Sequence, residues 1–161
     1  MERYGRLSIL VVIALAPAAR LAAQDCRPDA ARVQEIRAVA SGIVTADNRR
    51  DIASVLRFYA ADAVLMPPGE APVIGRDRIR PRYEALFNGF TPEIEGRIDE
   101  ACVEGGVGFV RGRNGGRMVA RGSPEVRMLD DVYVMLLRRD ANGAWLISHL
   151  IWHREGQSVP H

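Results

Sequence analysis

Apolar positions in the first half of the chain recur at helical spacing. Val33, Ile36, Ala40, Ile43 and Val44 follow Asp29, which has the right chemistry to cap a helix. Asp47-Asn48 is expected to break that helix and cap the next. Ile52, Val55, Leu56 and Tyr59 then stand at i, i+3, i+4 and i+7, which predicts a second short helix ending at Tyr59. Residues 63–66 predict a brief strand, stopped by Pro67-Pro68-Gly69, and residues 72–74 another extended piece. Ile79, Tyr83, Leu86 and Phe87 mark a third helix, from near Arg76 to just before Asn88-Gly89. Pro81 should loosen its early part by removing a backbone donor.

Beyond Gly89 the pattern becomes extended. Strands are predicted over residues 94–103 and 107–113, with Asn114-Gly115-Gly116 as a turn and residues 117–121 continuing. Gly122-Ser123-Pro124 is a loop. Residues 126–139 give the longest strand signal, Asp140-Ala141-Asn142-Gly143 a hairpin turn, and residues 145–153 the last strand. Residues 156–161 read as a flexible tail. Helices followed by long antiparallel strands indicate an α+β domain with helices on one face of a sheet.

Alternation sorts the last two strands into faces. Asp131, Tyr133, Met135 and Leu137 share one side of the first, and Val132, Val134 and Leu136 the other. On the second, Leu146, Ser148, Leu150 and Trp152 oppose Trp145, Ile147, His149, Ile151 and His153. Both faces are largely apolar, whereas a half-exposed antiparallel sheet would show a polar one. One face is therefore expected to meet the helices, and the other a second subunit in a homodimer.

The ends change the bookkeeping. Arg3 and Arg6, the apolar run over residues 7–19, and Leu21-Ala22-Ala23 form the pattern of a secretory signal peptide over residues 1–23. The run is short of the ~20 apolar residues of a membrane span. Export to the periplasm or medium would leave a single domain over residues 24–155, and no membrane association after cleavage. Taking Arg3, Arg6, Arg20 and Glu2 from the 22 basic and 20 acidic residues leaves 19 of each. That balance gives no argument for nucleic acid. Every basic residue is arginine, which excludes Schiff-base chemistry at lysine. Cys26 and Cys102 are an even pair, and in an exported chain they are expected to form a disulfide. Such a bridge would close a loop of about 75 residues and contribute roughly 4 kcal/mol in the chain-entropy picture.

Two elements carry a family resemblance: Tyr59-Ala-Ala-Asp-Ala with the Val-Leu-Met-Pro-Pro-Gly that follows, and Gly75-Arg-Asp-Arg-Ile before Leu86-Phe87. Together they resemble the opening of the nuclear transport factor 2-like superfamily, with its SnoaL-like and steroid-isomerase-like members, and the resemblance covers about residues 30–154. It implies a cone-shaped, cystatin-like α+β barrel: a curved antiparallel sheet wrapped around three N-terminal helices, enclosing a small-molecule cavity. In the steroid isomerases a carboxylate ends the first strand, a tyrosine stands on the first helix and a protonated aspartate on the penultimate strand. The similar positions here hold Met66 or Pro67, Ile43 and Met135, so that route to isomerisation is not expected.

The same resemblance turns Tyr133, Met135, Ser148, Leu150 and Trp152 toward the cavity, with Tyr59 lining it as well. Asp131 is the carboxylate on that face of its strand. Beside Tyr133 it is the candidate base, its pKa raised if buried. The competing expectation for Asp131 is a solvated charge beside Asp130. His149 and His153 lie four residues apart on one strand, roughly 13 Å between backbones, and cannot share one metal ion. Gly105-Gly106-Val107-Gly108 lacks the third glycine of a nucleotide loop, since Arg111 stands there. No cofactor or metal is indicated. Two functions remain: an exported domain binding a small hydrophobic molecule, as an isomerase, cyclase or dehydratase, and a non-catalytic dimerisation or association module of the same fold.

Overall fold

The computed structural model describes residues 29–155. The expected signal peptide, Cys26 and the tail over residues 156–161 lie outside the described residues. Helix α1 spans Ala30–Asn48 and begins at Asp29, whose carboxylate accepts from the Arg32 amide at 3.3 Å. It buries Val33, Ile36, Ala40, Ile43 and Ala46, the stripe that the spacing predicts.

The first helix does not break at Asp47. It runs on to Asn48 and ends at Arg49, Arg50 takes a left-handed conformation (φ 54°), and Asp51 caps α2 (Ile52–Arg57) by accepting from the Ser54 amide at 3.0 Å. Asp47 is therefore a helical residue. Asn48 forms a reciprocal pair with the backbone of Ile94: its amide donates to the carbonyl and its oxygen accepts from the N–H, both at 2.8 Å. This pins the last turn of α1 to the sheet.

Tyr59 does not end α2; it opens β1 (Tyr59–Met66), opposite Ile147. The Phe58 carbonyl accepts from the Ile147 amide at 2.7 Å, so sheet pairing begins where the helical spacing would have continued. Strand β2 (Val73–Ile74) pairs back on β1, and α3 (Arg76–Gly89) follows with Pro81 inside it. Strands β3 (Phe90–Glu104), β4 (Val107–Ala120), β5 (Val126–Arg139) and β6 (Trp145–Arg154) are successive antiparallel neighbours.

The sheet order is β2-β1-β6-β5-β4-β3. The architecture is α+β with a curved sheet, as in cystatin-like folds, but the sheet is not closed into a barrel. It is also mixed, because β1 joins β6 in parallel. Asn114-Gly115-Gly116 is not a turn: all three pair within β4, to Gly96, Glu95 and Ile94 on one side. Gly116 has φ 119°, and a Cβ there would lie 2.1 Å from the Glu93 carbonyl, so glycine serves close strand approach here, not reversal.

One further correction concerns β6. The β5–β6 register slips between Leu136, opposite His149, and Leu137, opposite Ile147. Ser148 is the extra residue, and its hydroxyl donates to the Leu136 carbonyl at 3.2 Å. A bulge of this kind flips the alternation. Trp145 and Ile147 consequently enter the core with Val110, Met135 and Leu137, while His149, Ile151 and His153 stay outward and exposed.

Candidate functional site

A cavity of about 910 Å³ lies between the last turn of α1, α3 and the inner face of the sheet. Leu65 from β1, Leu86 from α3, Phe90 and Ile94 from β3, Met118 from β4, and Leu150 and Trp152 from β6 form apolar wall. Asp47, Tyr83, Asn114, Asp131 and Tyr133 supply polar groups. An apolar hollow with a few convergent polar tips is the usual composition of a small-molecule site. Three arginines also line it, each engaged by a carboxylate: Arg82 by Glu70, Arg127 by Glu125, and Arg154 by Asp131.

Asp47 is the residue that sequence reading missed. The residue is partly exposed because one side faces the hollow, yet its Oδ1 is shut off from solvent and has no hydrogen-bond partner. Burial alone pushes its carboxyl up to about 8, with no cation beside it to hold the charge. An acid that titrates near neutrality can both take and return a proton. The spacing held a signal that was passed over. Asp47 lies four residues after Ile43 and three after Val44, on the buried side of α1, where a carboxylate has no structural reason to be.

Asn114 stands on β4 opposite Asp131 and Gly96. Its Oδ1 is also buried without a partner. A Cβ on Gly96 would lie 3.4 Å from that oxygen and 3.0 Å from Val44, so the missing side chain at Gly96 leaves Asn114 its place below α1. The hydroxyls of Tyr59 and Tyr83 are 2.9 Å apart. Both phenols are pushed up, burial being the main cause for each. Tyr83 also stacks at a tilt on Phe87, centroids 5.6 Å apart, which fixes its ring on the cavity wall.

The expected site residues divide by position. Asp131, Tyr133, Leu150 and Trp152 line the cavity. Asp131 is buried, and its Oδ1 accepts from Arg154 Nε at 3.2 Å. Burial raises its pKa, and the Arg154 charge opposes the rise. The Tyr133 phenol is pushed up to about 12, chiefly by burial. Its ring lies across Gly112, where a Cβ would meet the hydroxyl at 2.6 Å. Tyr59 and Met135 belong to the packed core beneath the cavity, not to its lining, and Ser148 is spent on the bulge. Ile43 is likewise core, and Met66 pairs with Ile151 at the outer end of β1. Among the described residues no cluster of His, Cys, Asp and Glu has metal-holding geometry. Cys102 sits on β3 opposite Phe109.

The SnoaL-like domain family matches residues 40–146, two thirds of the sequence, from the middle of α1 to the first residues of β6. The chain belongs to the SnoaL-like domain family. A ketosteroid isomerase-like protein from Erwinia carotovora atroseptica is similar at 27% identity and TM-score 0.73, covering 78% of this chain and 98% of that one. A conserved protein from Planctomyces limnophilus gives 19% identity and TM-score 0.70, with 76% and 98% covered. A calcium/calmodulin-dependent protein kinase II association domain from Xanthomonas campestris gives 16% identity and TM-score 0.63, with 78% and 89% covered. The last two likenesses speak to fold alone. No curated protein matches the sequence. The fold is thus shared by proteins described as isomerase-like and as association domains, and the fold alone does not choose between them.

Proposed function

We propose that this SnoaL-like domain is an exported small-molecule enzyme of isomerase type, with Asp47 as the proton carrier. The observation that supports it is Asp47, a partly exposed residue on the wall of an apolar cavity large enough for a ring compound, whose carboxyl burial pushes up to about 8. As a carboxylate it takes a proton from the carbon beside a ligand carbonyl. In a ligand with a carbon–carbon double bond next to that carbon, the C–H electron pair forms an enolate conjugated with the double bond, and the carboxylic acid then returns the proton to the far carbon of that double bond. One carboxyl group balances the whole step, and no water is consumed. Tyr83 is the phenol on the wall that can donate to the enolate oxygen. In this reading Asp131, neutralised by Arg154, holds the cavity wall and does not act as the base.

Deuterium exchange tests this without knowing the natural substrate. Cyclic ketones of one and two rings are incubated with the protein in heavy water and followed by mass spectrometry. Exchange at the α-carbon should exceed the buffer rate and fall by about 100-fold in Asp47→Asn. Exchange that persists in Asp47→Asn, or none with any ketone, removes the proposal.

A second reading has its own observation. Val132 and Val134 are half-buried on the outer sheet face, and Leu136 and Ile151 are 37% and 45% exposed there. We infer from this a homodimer through that face, which serves an association module as well as an enzyme. Native mass spectrometry of protein taken from the periplasm, before and after organic extraction, separates the two. A retained hydrophobic compound favours the enzyme, and an empty dimer the association module.

A further inference from the structure

Beyond the Ser148 bulge, Leu150, Trp152 and Arg154 alternate along the inner face of β6, and all three line the cavity. Successive members of such a row stand about 7 Å apart, so it runs from apolar wall to a guanidinium over about 13 Å. Arg154 is the last residue of β6, opposite Asp131, and its Nε donates to Asp131 Oδ1 at 3.2 Å. Its two terminal nitrogens have no hydrogen-bond partner among the described residues. They are not sealed either: the buried side-chain orphans among those residues are Asp47 Oδ1 and Asn114 Oδ1, and the Arg154 side chain is 40% exposed.

The other cavity arginines are placed differently. Arg82 puts both terminal nitrogens on Glu70, at 2.5 and 2.9 Å. Arg127 is more exposed, pairs with the equally exposed Glu125, and lies 4.6 Å above the Phe90 ring. No second carboxylate contends for Arg154. Glu155, the next residue, puts both oxygens on Arg113 at 2.7 Å each, and Asp130 also pairs with Arg113. Arg154 is thus an oriented, open fork: a buried carboxylate fixes its Nε, and its two terminal nitrogens are free.

We propose that Arg154 is an anion anchor on the cavity wall, taking a ligand carboxylate on its two terminal nitrogens while the ligand's apolar body lies along Trp152 and Leu150. This rests on the cavity reading above and names its substrate class: a ring compound, such as a cyclic ketone, that carries a carboxylate arm. The planar fork of a guanidinium matches the two oxygens of a carboxylate, and the charge-assisted pair is stronger than a neutral hydrogen bond. An ammonium arm is repelled by the same group. A neutral arm displaces water from the fork and gains no charge attraction. Because the arginine is part-exposed, the carboxylate keeps some of its water, and the cost of burying a charge is not incurred in full.

The test uses one ring frame with three arms: naphthylacetate, naphthylacetamide and naphthylethylamine, titrated calorimetrically into the wild-type protein, Arg154→Gln and Arg154→Lys. The acetate should bind the wild type about tenfold more tightly than the acetamide. That preference should vanish in Arg154→Gln, with acetamide affinity kept as proof of an intact cavity, and fall to about threefold in Arg154→Lys, which keeps the charge without the fork. If Arg154→Gln loses the acetamide as well, Arg154→Lys decides, because it keeps a cation for Asp131: a reduced preference supports the anchor, and an unchanged one overturns it. Equal binding of acetate and acetamide by the wild type, a preference that survives in Arg154→Gln, or tightest binding of the amine each overturns the proposal. If ketone exchange still depends on Asp47 in any of those cases, the enzyme reading stands and only this inference falls. If no compound of the frame binds at all, the cavity reading falls and takes this inference with it.

Discussion

Asp47 gives the folded chain a pH dependence with a definite sign. Its carboxyl titrates at about 8 in the folded state against an ordinary 3.8. Between those values the folded state holds a proton that the unfolded state has lost. Stability is therefore greatest below about pH 4 as far as this group is concerned, declines as pH rises, and levels off above about pH 8. The slope is at most about 1.4 kcal/mol per pH unit. Asp47→Asn should flatten that decline and make the variant more stable than the parent near pH 8, as read from urea melts across the range. Parallel pH profiles for parent and variant would mean that the carboxyl is not buried uncompensated. A stabilising loss of a carboxylate is also what a group kept for function predicts. Asp131 shifts in the same direction, because burial raises its pKa, but the Arg154 charge opposes the rise. Asp131 is buried with Arg154 as its cation, so Arg154→Met leaves a buried charge behind and should cost about 1–2 kcal/mol, discounted because the arginine side chain is 40% exposed.

At the scale of elements, much of the order was legible in the spacing. The α1 stripe, the hairpin at residues 140–143 and the run over Val126–Arg139 follow from periodicity and turn chemistry that tertiary contacts did not override. Two local features hid the rest. Asn114-Gly115-Gly116 has turn composition, but its glycines let β3 and β4 approach closely, a reason that exists only once the strands are paired. Ser148 carries no mark of a bulge, and one inserted residue was enough to move Trp145 and Ile147 from the expected outer face to the core. The candidate site was half legible. Strand alternation reached Asp131, Tyr133 and Trp152, while Asp47 was read as a helix breaker because aspartate is common at caps. The glycines offer a direct check. A Cβ on Gly112 would lie 2.3 Å from the Arg97 carbonyl and 2.6 Å from the Tyr133 hydroxyl, whereas one on Gly115 meets nothing within 4 Å. Gly112→Ala should destabilise by about 1–3 kcal/mol and displace Tyr133 from the cavity wall. Gly115→Ala should stay within about 0.5 kcal/mol of the parent. Equal effects in thermal melts would show that the β3–β4 approach is looser than described.

At the scale of the whole molecule, the proposed homodimer rests on the outer sheet face. Helices α1 and α3 and the cavity occupy the inner face, so among the described residues the outer side chains of β5 and β6 are covered only by their strand neighbours. Leu136 and Ile151 are exposed large apolar side chains flanked by His149 and His153, and Arg138 pairs with Asp62 alongside them. An apolar centre rimmed by polar and charged groups is the composition of a protein interface core with its rim. A second copy related by a two-fold axis would set the same patch against itself, and a stable contact needs about 1,000 Å² or more buried in total. Sedimentation equilibrium should therefore give a dimer for the parent chain. Ile151→Asp, which puts a charge at the centre of that patch, should give a monomer whose circular dichroism is unchanged and whose ketone exchange survives, because Ile151 points away from the cavity. A parent chain that sediments as a monomer defeats the dimer outright. A variant that dissociates and also loses exchange would mean instead that the two faces of the sheet are coupled, and that the cavity keeps its shape only while the outer face is covered.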